Sequence, residues 1–293
     1  MTTKNQDIWS RWLLERRFGG DPAAMQAALT KYLYPWRDKV LSHANLQEDE
    51  LLLDVGCGDG LIAFGALEKV NTSHVIFSDI SQDLLDHAQS LAKEMNILER
   101  CQFVNTSADN LSGITNASVD VVTTRSVLIY VTAKQQAFQE FYRVLKPGGR
   151  LSIFEPISRF SDPEPLHMFM GYDVQLVVEI AQKLKAHYER IQPSDTDPMG
   201  DFDERDLVLF AEKAGFNEIH LELHIEVKPI SEMMKWEHFL HYAPNPKVPT
   251  IEEAMQEALT PDESRLFSFH LRPLVEQGQG IRRGAIAYLW ATK

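Results

Sequence analysis

Three glycines at alternate positions, Gly56, Gly58 and Gly60, close the stretch 51–60, LLLDVGCGDG, after an apolar run and an acid. Alternate glycines let a backbone turn sharply and let a ligand touch it. A dinucleotide fingerprint needs its third glycine at 61, where Leu61 stands instead. Asp54 lies two residues before the loop. A carboxylate that close repels a diphosphate and suits a ligand carrying an ammonium group. S-adenosylmethionine is such a ligand. Its amine is one that Asp54 can orient, directly or through water, and its carboxylate suits the dipole of the helix that follows. A glycine-rich turn without a ligand is the plain alternative.

The next acid falls where a ribose needs one. Asp79 ends the short apolar run His74 to Ser78, HVIFS, nineteen residues after Gly60. An ionised carboxylate there accepts from both ribose hydroxyls. Helix capping is the competing role, but Ser81 can fill it and leave Asp79 free. Farther on, CQFVNTSADNL places Asp109 for an adenine amino group and the Ala108 backbone N–H for the ring, with ordinary turn chemistry as the other reading of Asp109. For the acceptor, a base within hydrogen-bond reach helps if a hydroxyl or protonated amine is attacked. Tyr130, Glu155, His167 and Tyr172 are the candidates. Each has a structural alternative, such as packing for Tyr130, a cap or ion pair for Glu155, and a satisfied or exposed imidazole for His167.

The elements that must position these groups read as alternating strands and helices. After the loop, Leu61, Phe64 and Leu67 share a helical face. HVIFS is a buried strand, and the run from Ser81 to Met95 is amphipathic through Leu84, Leu85, Ala88 and Leu91. A third strand is expected to end near Ala108 and Asp109, and SVDVVTTRSVLIYV supplies a fourth. Thr132 and Gln135 form a capping-box pattern for a helix carrying Ala137, Phe141 and Val144, which Lys146-Pro147-Gly148-Gly149 ends. LSIFEP follows as a fifth strand. DLVLFAEKAGF reads as a helix ending at Gly215, and Asn217 to Val227 and Gly284 to Trp290 complete the strands. Ligands lie across the C-terminal ends of such strands.

As a set, LLLDVGCGDG, FSDIS, NTSADNL, VDVVTTRSVLIYV and RVLKPGGRLSIFEP resemble the class I S-adenosylmethionine-dependent methyltransferases, in particular the small-molecule branch. The resemblance covers about 45–156. It implies an α/β fold, a Rossmann-like doubly wound seven-stranded sheet with its last strand antiparallel, and S-adenosyl-L-methionine as cofactor. It further implies cofactor contacts from Asp54, Gly56, Cys57, Gly58, Gly60, Asp79, Ile80, Ala108 and Asp109, and from Arg125 and Ser126 after the fourth strand. No Asn-Pro-Pro-Tyr pattern follows that strand, which argues against the branch that methylates bases or glutamine. Nor does the chain carry the cysteine set of arsenic-methylating relatives.

Of the 293 residues, a minimal fold of this class needs about two thirds, so about a third is additional. The expected organisation is an N-terminal helical cap (1–50), a cofactor-binding core (51–156), a helical lid (157–205), a core helix and strand (206–228), a second lid (229–283) and a final core strand (284–293). In the cap, Trp9, Trp12 and Leu13 suggest a helix packed on its own domain, and Asp21-Pro22 a helix start. The first lid is expected to be helical through LHMFMGYDVQLVVEIAQKLKAHYERI. Its apolar face would run from Met168, Tyr172, Leu176 and Val177 to Ile180 and Leu184, with a weak point at Gly171. The second offers SEMMKWEHFLHY and IEEAMQEAL around four prolines that fix its corners.

A formal charge of −13 with no basic stripe speaks against nucleic acid. Acidic residues are in excess in the lid region, which favours a neutral or cationic acceptor, with Arg282-Arg283 a local exception placed to meet an acidic group. The two cysteines, Cys57 and Cys101, have no zinc spacing, and neither a metal nor a disulfide scaffold is expected. No signal core or membrane-length apolar run is visible, which points to a cytoplasmic protein without membrane partners. The leading function is methyl transfer to O, N or C of a small-molecule metabolite. A non-catalytic cofactor-binding regulator or scaffold is the alternative, and a dinucleotide oxidoreductase stands third.

Overall fold

The computed structural model describes residues 6–230 and 233–293; Met1 to Asn5 of the expected cap, and Ser231 and Glu232 of the expected SEMMKWEHFLHY helix, lie outside the described residues. The chain opens with α1 (Ile8–Arg11), a wider π-helical turn over Trp12–Arg16, α2 (Pro22–Ala28), a second π turn over Leu29–Leu33, and α3 (Tyr34–Ala44). The core follows as β1 (Leu51–Val55), α4 (Leu61–Lys69), β2 (His74–Asp79), α5 (Gln82–Glu94), β3 (Cys101–Asn105), β4 (Val119–Arg125), α6 (Lys134–Val144) and β5 (Leu145–Pro156). The first insertion holds a hairpin, β6 (Met168–Phe169) and β7 (Tyr172–Asp173), and α7 (Val178–Ile191). The chain returns to the core in α8 (Glu204–Ala214) and β8 (Asn217–Pro229), leaves it for α9 (Trp236–His241), α10 (Ile251–Ala258) and α11 (Pro261–Glu276), and finishes in β9 (Ile281–Thr292).

One seven-stranded sheet runs β3-β2-β1-β4-β5-β9-β8. The first five strands pair in parallel, and β9 is antiparallel to both β5 and β8, the reversed strand that was expected. Parallel strands covered on both faces need continuous apolar runs, and LLLDV and HVIFS supply them. Chain order reverses between β1 and β4, so a crevice opens at their C-terminal ends. Phe138, Phe141 and Leu151 fill one face; Leu52, Val75 and Phe77 fill the other. Local chemistry agrees at several ends: Asp21 caps α2 with Pro22 in its first turn, Ser81 caps α5, and Gly215 takes the left-handed conformation after α8.

Other ends differ from the sequence reading. On α4 the sealed face is Ile62, Ala63, Ala66 and Leu67, with Leu61 and Phe64 only half-buried. β3 stops at Asn105, short of Ala108, because the Asn105 side chain donates to the Asp79 and Ile80 carbonyls, each at 3.0 Å. No capping box forms at α6: the helix begins at Lys134, and Gln135 donates instead to the Phe210 carbonyl at 3.2 Å. Lys134 does the anchoring, with its ammonium on the Val131 and Pro198 carbonyls and on Asp201. Val144 passes directly into β5, so Lys146–Gly149 belongs to the irregular start of the strand.

The first insertion is not a single helix. Met170 and Gly171 both take positive φ, 51° and 86°, and the Glu164 carboxylate accepts from both their N–H groups at 3.1 and 2.7 Å. That geometry folds a tight hairpin where a helix was expected, and Leu176 is left 85% exposed. In the second insertion the sequence reading missed α11, which Thr260 and Glu263 start with a capping box. Phe169, Tyr172 and Leu184 pack against Phe239, Ile251 and Phe267, so the two insertions share one apolar core of their own. Among the described residues no helix is long and apolar enough to cross a membrane.

Candidate functional site

β1 delivers the chain into the glycine loop at Val55. Gly56 has φ +65°, and a Cβ there would stand 2.3 Å from Val127 Cγ2, so the turn at the end of β4 can pack only on a bare backbone. The Cys57 N–H donates to the Ser78 carbonyl at 3.0 Å, and the Gly58 N–H donates to Asp79 Oδ2 at 2.9 Å. The loop is thereby pinned to the end of β2. Asp79 Oδ1 accepts from the Ser81 N–H at 2.9 Å. The sequence reading left Asp79 free; it is instead held by these two N–H groups, but each carboxylate oxygen keeps a lone pair for a further donor. Burial raises its proton affinity above the usual carboxylate range.

Asp54 has another position. It is 1% exposed and sealed beneath the loop, where its carboxylate accepts from Thr123 Oγ1 at 2.9 Å and from the Ala63 N–H at 3.2 Å. It ties β1, β4 and the first turn of α4 together, and burial pushes it up to about 7. Asp54 does not line the cavity; what it shapes is the loop. Gly60, at the N-cap of α4 and crowded by Phe64, is likewise outside the cavity lining.

A cavity of about 1420 Å³ opens above the loop. From the core, Gly56, Cys57, Gly58, Asp79 and Ile80 line one part. Ala108 and Asp109 join them, with Asp109 accepting from Ser107 Oγ at 2.7 Å. Arg125 and Ser126 line it from the end of β4. Ser126 takes φ +56°, and its N–H donates to the Phe154 carbonyl at 2.8 Å.

Of the four acceptor-side candidates, Tyr130 alone lines this cavity. Its ring meets Trp9 edge-on at 5.0 Å, and burial raises its pKa, so it is a hydroxyl donor rather than a ready base. Glu155 is fully buried behind the turn that presents Tyr130, accepting from the Val127 and Leu128 N–H groups at 3.0 Å each and from Ile129 at 3.4 Å. Burial outweighs those bonds and pushes it up to about 7. Successive strand residues face opposite ways, so Phe154 reaches the cavity and Glu155 does not. His167 is exposed and off the cavity, and Tyr172 is buried in the core of the insertions beside Phe239.

The cap closes the top. Asp7 caps α1, its own N–H donates to Asp83 Oδ2 at 2.8 Å, and Ser81 Oγ donates to Asp7 Oδ2 at 2.6 Å. On the other side Trp12 Nε1 donates to the Ala243 carbonyl at 2.9 Å, and Arg16 makes a two-pronged contact with Glu253 at 3.1 and 2.9 Å. Trp9, Trp12 and Leu13 therefore line the cavity rather than only packing on their own domain. Sequence reasoning missed Arg17, Tyr242, His224 and Glu226, which also line it. None has a motif; the only signal was the Arg16-Arg17 pair next to the tryptophans.

Residues 52–149 match the protein family described as "Methyltransferase domain". The chain is 28% identical over 157 residues to a ubiquinone/menaquinone biosynthesis C-methyltransferase of Ruegeria sp., covering 54% of this chain and 62% of that protein. It is 32% identical over 121 residues to a demethylmenaquinone methyltransferase of Lactobacillus johnsonii, covering 41% and 49%. Both matches thus span less than two thirds of the relative's length. Among solved structures, a putative methyltransferase from Bacillus halodurans superposes with a TM-score of 0.53 at 20% identity, covering 88% of this chain and 98% of that one. Geranyl diphosphate C-methyltransferase from Streptomyces coelicolor gives 0.53 at 16% identity, covering 95% and 88%. At such identities the likeness is one of fold.

Proposed function

We propose that this chain, whose residues 52–149 match a methyltransferase domain, transfers a methyl group from S-adenosylmethionine to a small-molecule acceptor held in the same cavity. The observation that carries the reading is the Gly58–Asp79 contact: a bare backbone loop pinned to a carboxylate that still faces the cavity. That arrangement fits a ribose, whose two hydroxyls are donors for the lone pairs Asp79 has left. Asp109 suits the exocyclic amine of adenine, the Ala108 N–H a ring nitrogen, and Arg125 and Ser126 the face toward the amino-acid tail. Gly56 and Gly58 keep the wall flat enough for close approach.

The cofactor supplies a methyl on a sulfonium, whose charge disappears as the acceptor displaces it in line, so alignment and exclusion of water do most of the work. This chain's part is to hold and enclose. Glu155 fixes the turn that presents Tyr130, and Asp54 fixes the loop. We assign the cap, 1–50, and the insertions, 157–205 and 229–283, to acceptor selection, because Trp9 and Trp12, Met199, and Tyr242 line the cavity from these three segments. The relatives' names include carbon methylation of quinone precursors, which makes phenolic and enolic acceptors a first set to try. The test is label transfer from methyl-labelled S-adenosylmethionine across O, N and C acceptors, with product mass. Labelled product supports turnover; cofactor binding with no product from any acceptor favours the non-catalytic alternative.

A further inference from the structure

The cavity reverses the charge of the molecule. Carboxylates outnumber Lys and Arg by 42 to 29, and several arginines elsewhere find acidic partners, as Arg16 does Glu253 and Arg150 does Glu50. Three arginines in the cavity lining do not. Among the described residues no carboxylate stands within ion-pair reach of Arg17, Arg125 or Arg283. The Arg17 guanidinium lies 5.6 Å from the centre of the Trp12 ring and 5.3 Å from that of Phe18, and it forms no ion pair with Asp59, whose charge it feels. The acids of the lining are engaged by other groups: Asp21 by His238 and the α2 N-terminus, Glu226 by Lys228, Asp109 by the Ser107 hydroxyl, and Asp79 by two backbone N–H groups.

A half-buried guanidinium with a second one nearby is left under-paired unless an anion joins it. Burial and the charge of Arg125 together push Arg17 down to about 10, which leaves it protonated at neutral pH. A planar fork of donors suits the paired oxygens of a carboxylate or phosphate. Tyr130 and Tyr242 line the same cavity, and both lie within electrostatic reach of Arg17. Trp9 and Trp12 supply flat apolar wall next to these cations.

We propose that the methyl acceptor is an acidic molecule with a flat apolar body, its carboxylate or phosphate seated on Arg17 and its body against Trp9 and Trp12. This rests on the methyltransferase reading and adds the acceptor's chemical class, opposite in charge to the neutral or cationic one that overall composition suggested. The experiment uses calorimetry on the full chain, with and without saturating S-adenosylhomocysteine, titrated with 2-naphthoate, 2-naphthyl phosphate and the neutral 2-naphthamide. At least one anion is expected to bind about tenfold or more tighter than the amide, and which one does so distinguishes carboxylate from phosphate. Arg17→Gln is expected to abolish that preference while S-adenosylhomocysteine affinity stays within about twofold, and Arg17→Lys to restore part of it. Equal or absent binding of anions and amide overturns the proposal. So does a preference that survives in Arg17→Gln, or a loss in that variant of S-adenosylhomocysteine affinity alone, which would put Arg17 on the cofactor's own carboxylate. If S-adenosylhomocysteine fails to bind the parent chain, the cofactor reading fails, and the titrations without it still decide whether the anion site exists.

Discussion

Glu155→Gln separates a positioning carboxyl from a catalytic one, and the structure sets the size of the effect. Glu155 is fully buried, with its proton affinity raised from 4.5 to about 7. An acid that binds its proton more tightly in the folded chain contributes stability that is fully present below the unfolded value, 4.5, and lost as pH rises through about 7. At about 1.36 kcal/mol for each tenfold change in proton affinity, that interval corresponds to about 3 kcal/mol, of which about 2–3 kcal/mol falls between pH 5 and pH 8. Glutamine mimics the protonated acid and does not titrate. It also turns an NH₂ toward one of the three backbone donors, which costs about 1–2 kcal/mol at every pH. Urea denaturation of both proteins at each pH reads the difference. The variant is expected to be the less stable at pH 5 and to recover about 2–3 kcal/mol relative to the parent by pH 8. A difference that is the same at both pH values refutes the burial argument.

Gly56→Ala places a Cβ 2.3 Å from Val127 Cγ2 at a positive φ, so it is expected to cost about 1–3 kcal/mol in thermal stability and at least tenfold in S-adenosylhomocysteine affinity by calorimetry. Asp54→Asn leaves the cavity lining intact; its cost of about 1–3 kcal/mol is expected in denaturant unfolding, with affinity changed less than about threefold. Arg16→Ala breaks a half-exposed two-pronged ion pair, so global stability should drop by no more than about 1 kcal/mol while amide exchange over 8–16 rises measurably. His167→Ala and Tyr172→Phe, both away from the cavity, should leave methyl transfer within about twofold of the parent.

The core was legible because its signals are local and redundant. β1, β2 and β4 announce themselves as apolar runs, and Ser81, Asp21 and Gly215 cap helices with their own side chains or backbone freedom. What escaped depends on long-range contacts. The hairpin at 168–173 carries Met168, Phe169 and Tyr172 at spacings that also suit a helix, and only Glu164, reaching the Met170 and Gly171 N–H groups, decides between them. α11 exposes Leu266 and Phe269 and contains Pro273, so its pattern resembles a broken segment until it meets the other insertion's core. For the site, the strand ends were found but the facing of each side chain was not. Glu155 and Phe154 are neighbours in sequence and lie on opposite sides of the sheet, and Asp54, read from the sequence as orienting a ligand amine directly or through water, is buried beneath the loop and does not line the cavity. Arg17 was invisible because a basic pair beside tryptophans is ordinary on a surface; only the fold turns one of the pair into the cavity.

The central claim is that the carboxylate beneath the Gly58 N–H also grips a nucleoside. Calorimetric titration of S-adenosylmethionine and NAD into the parent chain and Asp79→Ala tests it most directly. The account predicts that the parent binds S-adenosylmethionine and not NAD, and that the variant, folded by circular dichroism, binds about 1–3 kcal/mol more weakly. Unchanged affinity in the variant, or NAD taken up in place of the sulfonium, contradicts it.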